Sequence, residues 1–593
     1  MGVARWTGRF AGILLAAALG SPASALPAGP LPVTVESGVK VVMRDGVTLI
    51  ADVYRPEGEG RYPVLLTRTP YDRHGNLAVG PALASHGYVV VLQDVRGRYG
   101  SEGVFYPFRN EAADGYDTVE WAAALPSSNG SVGTFGGSYV GATQMLAASA
   151  RPPHLVAIHP VVTASDYYEG WTYQGGALMQ WFTSSWATGL AQDTLQKRAT
   201  EMASPPAWVE TLPVESYRLL ETPPASELAP YYRDWLAHET ADEYWRAVRV
   251  KDHYGDMTVK GLHQGGWHDI FSRGSIENYM GLRAGAATPE ARAGQRLIVG
   301  PWGHTATLPQ GKVGDVTFGE AARIDDDDML LRWADWSLKG VANEYATGAP
   351  VRLFIMGDNV WRDEQDFPLA RARSTRYYLH AAKGANSVEG DGRLAVASPR
   401  KEAPDRFEYD PANPVRTLGG RLCCGKAPLP YHPGPADQRP NESRKDVLVY
   451  STGPLARDTE VTGFITAEIW AASSAVDTDF TAMLVDVEPS GYARYLADGI
   501  LRARYRTSRE RAEMLQPGRI EKYEIDLGAT ANVFKAGHQL RLYVSSSNFP
   551  RFDRNLNTGE RAAKGTRMAK AEQVVYHDAE HPSALVLPVI PRP

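Results

Sequence analysis

The chain has 593 residues, of which 43% are hydrophobic and 22% charged, and its formal net charge is −6. That length exceeds what one hydrophobic core supports and implies two or three domains of ordinary globular composition. No basic tail or stripe is present, which excludes nucleic acid as a partner, since phosphate recognition needs clustered Lys and Arg.

The N-terminus carries Arg5 and Arg9, the apolar run "AGILLAAALG" and the A-x-A triplet at residues 23–25. This is the layout of a secretory signal peptide over residues 1–25, cleaved after Ala25. The run is too short to anchor in a bilayer and no later segment reaches a spanning length. An exported protein, periplasmic or secreted and without membrane association, is therefore expected.

"VKVVMRDGVTLIADVYRP" alternates around an Asp-Gly turn and predicts a β-hairpin. "YPVLLTRTPY" and "HGYVVVLQDVRG" follow as nearly continuous apolar runs, which predict strands buried on both faces. With "EAADGYDTVEWAAAL" as an intervening helix, residues 31–165 read as the first part of a largely parallel α/β sheet. "DVRGRYGSEG" reads as a structural loop tying down the edge of that sheet.

From 166 to 249 strand patterns are absent, and six of the fourteen tryptophans occur there. This predicts a helical cap inserted in the sheet domain, which resumes over 250–345 with "VKGLHQGGWHD" and "QRLIVGPWGH". Asp325 to Asp328 precede the helical pattern "MLLRWADWSLKG", so they read as helix-start acids rather than metal ligands. Residues 350–593, beginning with "VRLFIMGDNVWR", show many short alternating strands and predict an all-β jelly roll. The acids of "SSAVDTDFTAMLVDV" read as turn formers within it. The only cysteines, Cys423 and Cys424, are adjacent, cannot staple distant segments, and read first as two small, partly buried thiols, with a redox role or a vicinal disulfide as the lesser reading.

The chemistry centres on "VGTFGGSYVGATQ", where a short strand, a Gly-Gly-Ser turn and a small-residue helix surround Ser138. A nucleophilic serine on an α/β-hydrolase elbow needs such crowding-tolerant neighbours, although a serine in a plain tight turn fits the same letters. Chain order favours the nucleophile. Asp269 follows a strand, and His304 follows the next strand, the Ser–acid–His order of that fold. Asp269 would hold Nδ1 of His304 and leave Nε2 for Ser138. His268 adjoins the acid and points elsewhere, while His253 and His263 read as ordinary polar or core residues.

"TPYDR", "DVRGRYGSEG", "GGSYVG", "GWHD", "GPWGH", "PADQRP" and "SSSNFPRFDRNLNTG" together resemble the cocaine-esterase and α-amino-acid ester hydrolase family. That family includes X-prolyl dipeptidyl aminopeptidases and glutaryl-cephalosporin acylases. The resemblance implies an α/β-hydrolase domain with an inserted helical cap plus a C-terminal jelly roll. It implies Ser138 as nucleophile, Asp269 and His304 as its partners, and Tyr71 with the backbone N–H of Tyr139 as oxyanion donors. It also places Trp171, Trp186 and Phe271 in the acyl pocket and the Cys423–Cys424 stretch beside that pocket. Ile270, Phe271 and Ser272 stand where amino-ester hydrolases carry ammonium-binding carboxylates, and Glu169 alone is a weak substitute. The expected activity is hydrolysis of small esters or amides through an acyl-enzyme, with no metal or organic cofactor. An X-prolyl dipeptidyl peptidase or acylase is the alternative, and a non-catalytic glycan- or surface-binding protein a remote one. Family members occur as single subunits and as assemblies, so a homo-oligomer stays open.

Overall fold

The computed structural model describes residues 29, 31–75, 78–197, 210–216, 225–304, 311–424 and 433–592. The expected signal segment, residues 1–25, lies outside the described residues.

β1 (Val33–Val42) and β2 (Thr48–Pro56) pair antiparallel as the expected hairpin. They are followed by β3 (Tyr62–Thr69), β4 (Val89–Asp94), β5 (Ser128–Gly137) and β6 (Leu155–Val161). β7 (Lys260–Gly266), β8 (Gln295–Gly300), β9 (Val351–Ile355) and β10 (Val360–Glu364) complete a ten-stranded sheet. Its order is β1-β2-β4-β3-β5-β6-β7-β8-β9-β10, with parallel pairing from β4 through β9.

Helices α1 (Val79–Ser85), α2 (Glu111–Ala123) and α3 (Tyr139–Ser149) follow β3, β4 and β5. α4 (Gln180–Lys197) and α5 (Pro230–Ala237) lie between β6 and β7, α6 (Ser272–Gly285) between β7 and β8, and α7 (Asp326–Lys339) after β8. The two-residue period of the strands divides the core. Val64, Leu66, Val89 and Val91 pack with Val119 and Ala122 of α2 and Met145 of α3. Leu65, Val90 and Leu92 face the other way, against Leu83 of α1 and Leu330 and Ala334 of α7. Apolar runs without alternation are thus strands sandwiched between two helical layers. Asp325 caps α7 by accepting from the N–H groups of Asp327 and Asp328, and Gly340 closes it in the left-handed conformation.

Two boundaries differ from the sequence reading. β9 and β10 belong to the α/β sheet, not to the all-β part expected from residue 350: Leu297–Val299 of β8 pair parallel with Val351–Leu353. Their alternation marks the edge of a sheet rather than the start of a separate body. The expected strand-free stretch from 166 contains a short ribbon, Tyr173–Gln174 against Ala177–Leu178, because Gly175-Gly176 forms a turn before α4 begins.

Residues 373–590 supply eleven strands to a β-rich body whose apolar core includes Ile469, Phe480, Leu484, Leu542 and Leu585. The acids of "SSAVDTDFTAMLVDV" are not turn formers. Asp479 and Asp553 both accept from the buried guanidinium of Arg502, at 2.9 and 3.0 Å, and Asp477 pairs with Arg504. Asp553 also accepts from the N–H of Leu178, so this ionic group joins the β-rich body to the ribbon before α4. No helix among the described residues is long and apolar enough to cross a membrane.

Candidate active site

β5 ends in Gly136-Gly137 and α3 begins at Tyr139, which leaves Ser138 alone on the turn at φ 60°, ψ −125°. A non-glycine residue pays for this left-handed backbone, and such strain is expected where a serine must stand clear of the sheet. The flanking glycines are required by space. A Cβ on Gly136, itself at φ 128°, would meet Val140 Cγ1 at 2.4 Å. One on Gly141 would meet Thr163 Cβ at 2.8 Å, which explains why the second glycine of the elbow comes three residues after the serine.

The expected triad assembles at one edge of the sheet, from the C-terminal ends of three parallel strands. His304 follows β8, and its Nε2 lies 2.9 Å from Ser138 Oγ. Its Nδ1 lies 2.6 Å from Oδ1 of Asp269, which follows β7. The other carboxylate oxygen of Asp269 accepts from the N–H of Phe271 at 3.0 Å. All three residues are buried. The Asp269 bond assigns the imidazole proton to Nδ1 and leaves the Nε2 lone pair toward the hydroxyl. The remaining histidine expectations also hold: His253 pairs on the surface with Asp256, His263 bonds Gln295 in the core, and the buried His268 ring lies against Phe318 and Tyr495.

Tyr71 lies just after β3 and faces Ser138, and burial pushes its phenol up to about 12. The phenol oxygen accepts a hydrogen bond from Trp186 Nε1 at 2.9 Å. Its own proton therefore stays in place and is free to point toward an oxyanion above Ser138. Tyr139 opens α3, where first-turn N–H groups have no intrahelical acceptor, so its amide is left without a partner inside the helix. Its ring is fixed from behind. The phenol of Tyr139 donates to Glu111 at 2.9 Å, and Glu111 pairs with Arg68 at 2.9 Å.

Trp171, Trp186 and Phe271 pack together beside His304. Trp171 stacks on Phe271 at 4.5 Å, Trp186 meets Trp171 edge-on at 5.7 Å, and Phe271 packs edge-on to the His304 ring at 5.2 Å. Glu169 is already engaged: one oxygen accepts from Gly175 N–H at 2.9 Å and the other lies 3.5 Å from Arg509 Nε. Arg98, in the loop read as structural, donates to the carbonyls of Pro70 and Leu190 and pairs with Asp193. It thereby ties α4 to the residue preceding Tyr71.

Sequence reasoning missed Glu111, Arg68 and the hydrogen bond made by Trp186. The only trace of Glu111 and Arg68 was a polar letter inside an apolar pattern, which carries no pairing information. The thiol reading of the cysteines is corrected: Cys423 and Cys424 are joined to each other by a disulfide. Both sulfurs and a ring nitrogen of His304 lie within 4.8 Å of one another.

Known proteins resemble the chain over most of its length. Residues 45–306 match the X-Pro dipeptidyl-peptidase (S15) family, and residues 343–586 match the X-Pro dipeptidyl-peptidase C-terminal non-catalytic domain. Cocaine esterase of Rhodococcus sp. (strain MB1 Bresler) is 38% identical over 587 residues, covering 94% of this chain and 99% of the relative. An aminopeptidase from a marine sediment Thaumarchaeota archaeon superposes with a TM-score of 0.81 at 26% identity, covering 95% of this chain and 97% of the other. An α-amino acid ester hydrolase shares the fold, with a TM-score of 0.79 at 24% identity, over 99% of this chain and 100% of the other.

Proposed function

We propose, for a chain that belongs to the S15 X-Pro dipeptidyl-peptidase family and is a serine ester hydrolase, that Ser138, His304 and Asp269 carry the reaction on small uncharged carboxylic esters. The observation that carries this reading is the continuous line Asp269–His304–Ser138, at 2.6 and 2.9 Å. His304 Nε2 takes the hydroxyl proton as Ser138 attacks the ester carbonyl, and Asp269 stabilises the imidazolium that forms. Tyr71 and the Tyr139 amide receive the negative charge that develops on the carbonyl oxygen. His304 then protonates the departing alcohol, and next removes a proton from the water that releases the acid.

The preference for an uncharged acyl group rests on the walls. Trp171, Trp186 and Phe271 offer flat apolar surface beside His304, which suits an aromatic or bulky acyl group. A substrate ammonium would need a free carboxylate, and Glu169 is held by Gly175 and Arg509. The same argument counts against a dipeptidyl peptidase, which must hold a peptide N-terminus. In this reading the segment containing α4 and α5 caps the site, the β-rich body is the jelly roll, and the signal segment sends the enzyme to the periplasm or the medium.

The test is the ratio of initial rates on a 4-nitrophenyl aryl ester and on a Gly-Pro anilide, with Ser138→Ala protein as the blank. A large ester preference that disappears in the variant is expected. Faster anilide turnover would transfer the chain to the peptidase reading.

A further inference from the structure

The adjacent cysteines stand beside the base of the triad, where a family-wide ester hydrolysis mechanism has no use for sulfur. Cys423 is buried in the same apolar core as Trp171, Trp186 and Phe271, and Cys424 takes a left-handed φ of 68°, so the chain turns sharply at the pair. Their position is set from behind. The Arg421 guanidinium donates to the carbonyl of Trp267 at 3.2 Å, of Leu527 at 2.6 Å and of Ala529 at 2.7 Å. Gly420 and Gly434 close the base of the segment with two backbone hydrogen bonds, at 2.6 and 2.9 Å. Trp267 is two residues from Asp269, so one arginine locks the sulfurs to the strand end that carries the catalytic acid. A disulfide between neighbours closes no loop of chain, so opening it removes none of these tethers.

We propose that, once reduced, Cys423 and Cys424 join Nε2 of His304 as a three-donor site for a thiophilic divalent cation of the zinc and cadmium class, and that its occupation switches the hydrolase off. Two thiolates and one imidazole select such cations over magnesium or calcium. Zinc–sulfur and zinc–nitrogen bonds of about 2.3 and 2.0 Å place tetrahedral donors roughly 3.5–3.8 Å apart. The two sulfurs and a ring nitrogen of His304 already lie within 4.8 Å of one another, so side-chain rotation brings the donors together once the sulfurs separate. His304 Nδ1 is held by Asp269, the carboxylate–histidine arrangement that orients Nε2 toward a metal in zinc sites. A cation on Nε2 occupies the lone pair that must accept the Ser138 proton.

The chemistry balances with a phosphine as reductant. It attacks one sulfur, the S–S bond breaks, and water supplies the oxygen of the phosphine oxide and the hydrogens of two thiols. The cation then displaces the two thiol protons to solvent, and no electron moves in that step. This inference rests on His304 being the base for Ser138, so the test reads metal binding and turnover separately.

Purified full-length protein, its phosphine-treated form, phosphine-treated Cys423→Ser/Cys424→Ser protein and phosphine-treated His304→Ala protein are each titrated with Cd²⁺. The ultraviolet thiolate-to-cadmium band and 4-nitrophenyl ester hydrolysis are followed in parallel, the latter as the ratio with and without cation within each protein. Expected is one Cd²⁺ per reduced wild-type chain, loss of turnover in step with the band, and recovery on chelation. The untreated and double-serine proteins are expected to show no band and no cadmium-dependent loss. His304→Ala is expected to bind at least about tenfold more weakly. A full band with turnover intact, equal inhibition of the untreated or double-serine protein, or a pair that yields no titratable thiols after phosphine would each overturn the proposal. Absence of ester turnover in every form would overturn the hydrolase reading instead, and the His304→Ala affinity would still judge the metal site.

Discussion

Replacing Tyr71 with Phe removes a single hydroxyl from the site, and the structure says what that hydroxyl does. With its phenol pushed up to about 12, only about one molecule in 10⁵ is ionised at pH 7, so the group acts as a donor and not as a base. Trp186 Nε1 occupies an acceptor position of the oxygen at 2.9 Å, which directs the remaining proton toward the Ser138 side. The Tyr139 amide survives the substitution, so one of two oxyanion donors is lost. One such donor is worth about 10²–10³ in kcat, or about 3–4 kcal/mol of transition-state stabilisation. KM should change far less, because a neutral ground-state carbonyl gains little from the bond. Trp186→Phe should lower kcat by a smaller factor, acting through Tyr71. In the Tyr71→Phe background its effect should vanish, which a double-mutant cycle on 4-nitrophenyl ester kcat measures. If Tyr71→Phe kept wild-type kcat, or if the two losses simply added, the assignment of Tyr71 as donor and Trp186 as its orienter would be wrong.

Glu111→Gln leaves the Arg68 guanidinium without its nearest carboxylate in a buried setting, and a loss of about 3–5 kcal/mol is expected in a denaturant titration. The same variant should lower kcat because glutamine offers one acceptor oxygen where Glu111 serves both Tyr139 and Arg68, so the two compete for it, and unchanged stability would show that the pair is not buried. Gly141→Ala should abolish activity or folding, since its Cβ would sit 2.8 Å from Thr163 Cβ; a fully active variant would refute the tight packing of α3 on β6. His263 is pushed down to about 4 by burial, only partly offset by its bond to Gln295. The unfolded chain, with an ordinary histidine, therefore binds one more proton than the folded chain between about pH 6.5 and 4. Stability should be intact above that window and fall by about 3 kcal/mol from this residue as pH drops through it. His263→Gln should flatten the pH dependence of the unfolding midpoint by about one proton, and an unaltered slope would exclude the buried neutral state.

The parts of the fold legible in the sequence were those written in local pattern. Unbroken apolar runs such as "YVVVLQD" announce strands between two helical layers, and the Ser–acid–His order identifies three residues 35 and 131 positions apart as partners, as the bonds at His304 bear out. What stayed hidden was pairing. "VRLFI" alternates whether it sits at the edge of a parallel sheet or in a β-rich body, and only its register with β8 decides. Asp477 and Asp479 look like turn acids until Arg502 and Arg504, more than twenty residues on, are seen beside them. Trp186 reads as apolar surface because one letter carries both the ring and its N–H donor, and the donor matters only because Tyr71 stands opposite. The cysteine pair was visible as two letters, but its place beside His304 depends on Arg421 reaching three distant carbonyls.

The most direct test is the covalent one: exposure of the full-length protein to a fluorophosphonate, followed by intact mass and peptide mapping. One adduct per chain, located on Ser138, absent from Ser138→Ala and strongly slowed in His304→Ala, is the predicted result. An adduct on any other residue, or one that forms equally fast without His304, would contradict the assignment of Ser138 as a nucleophile activated by His304.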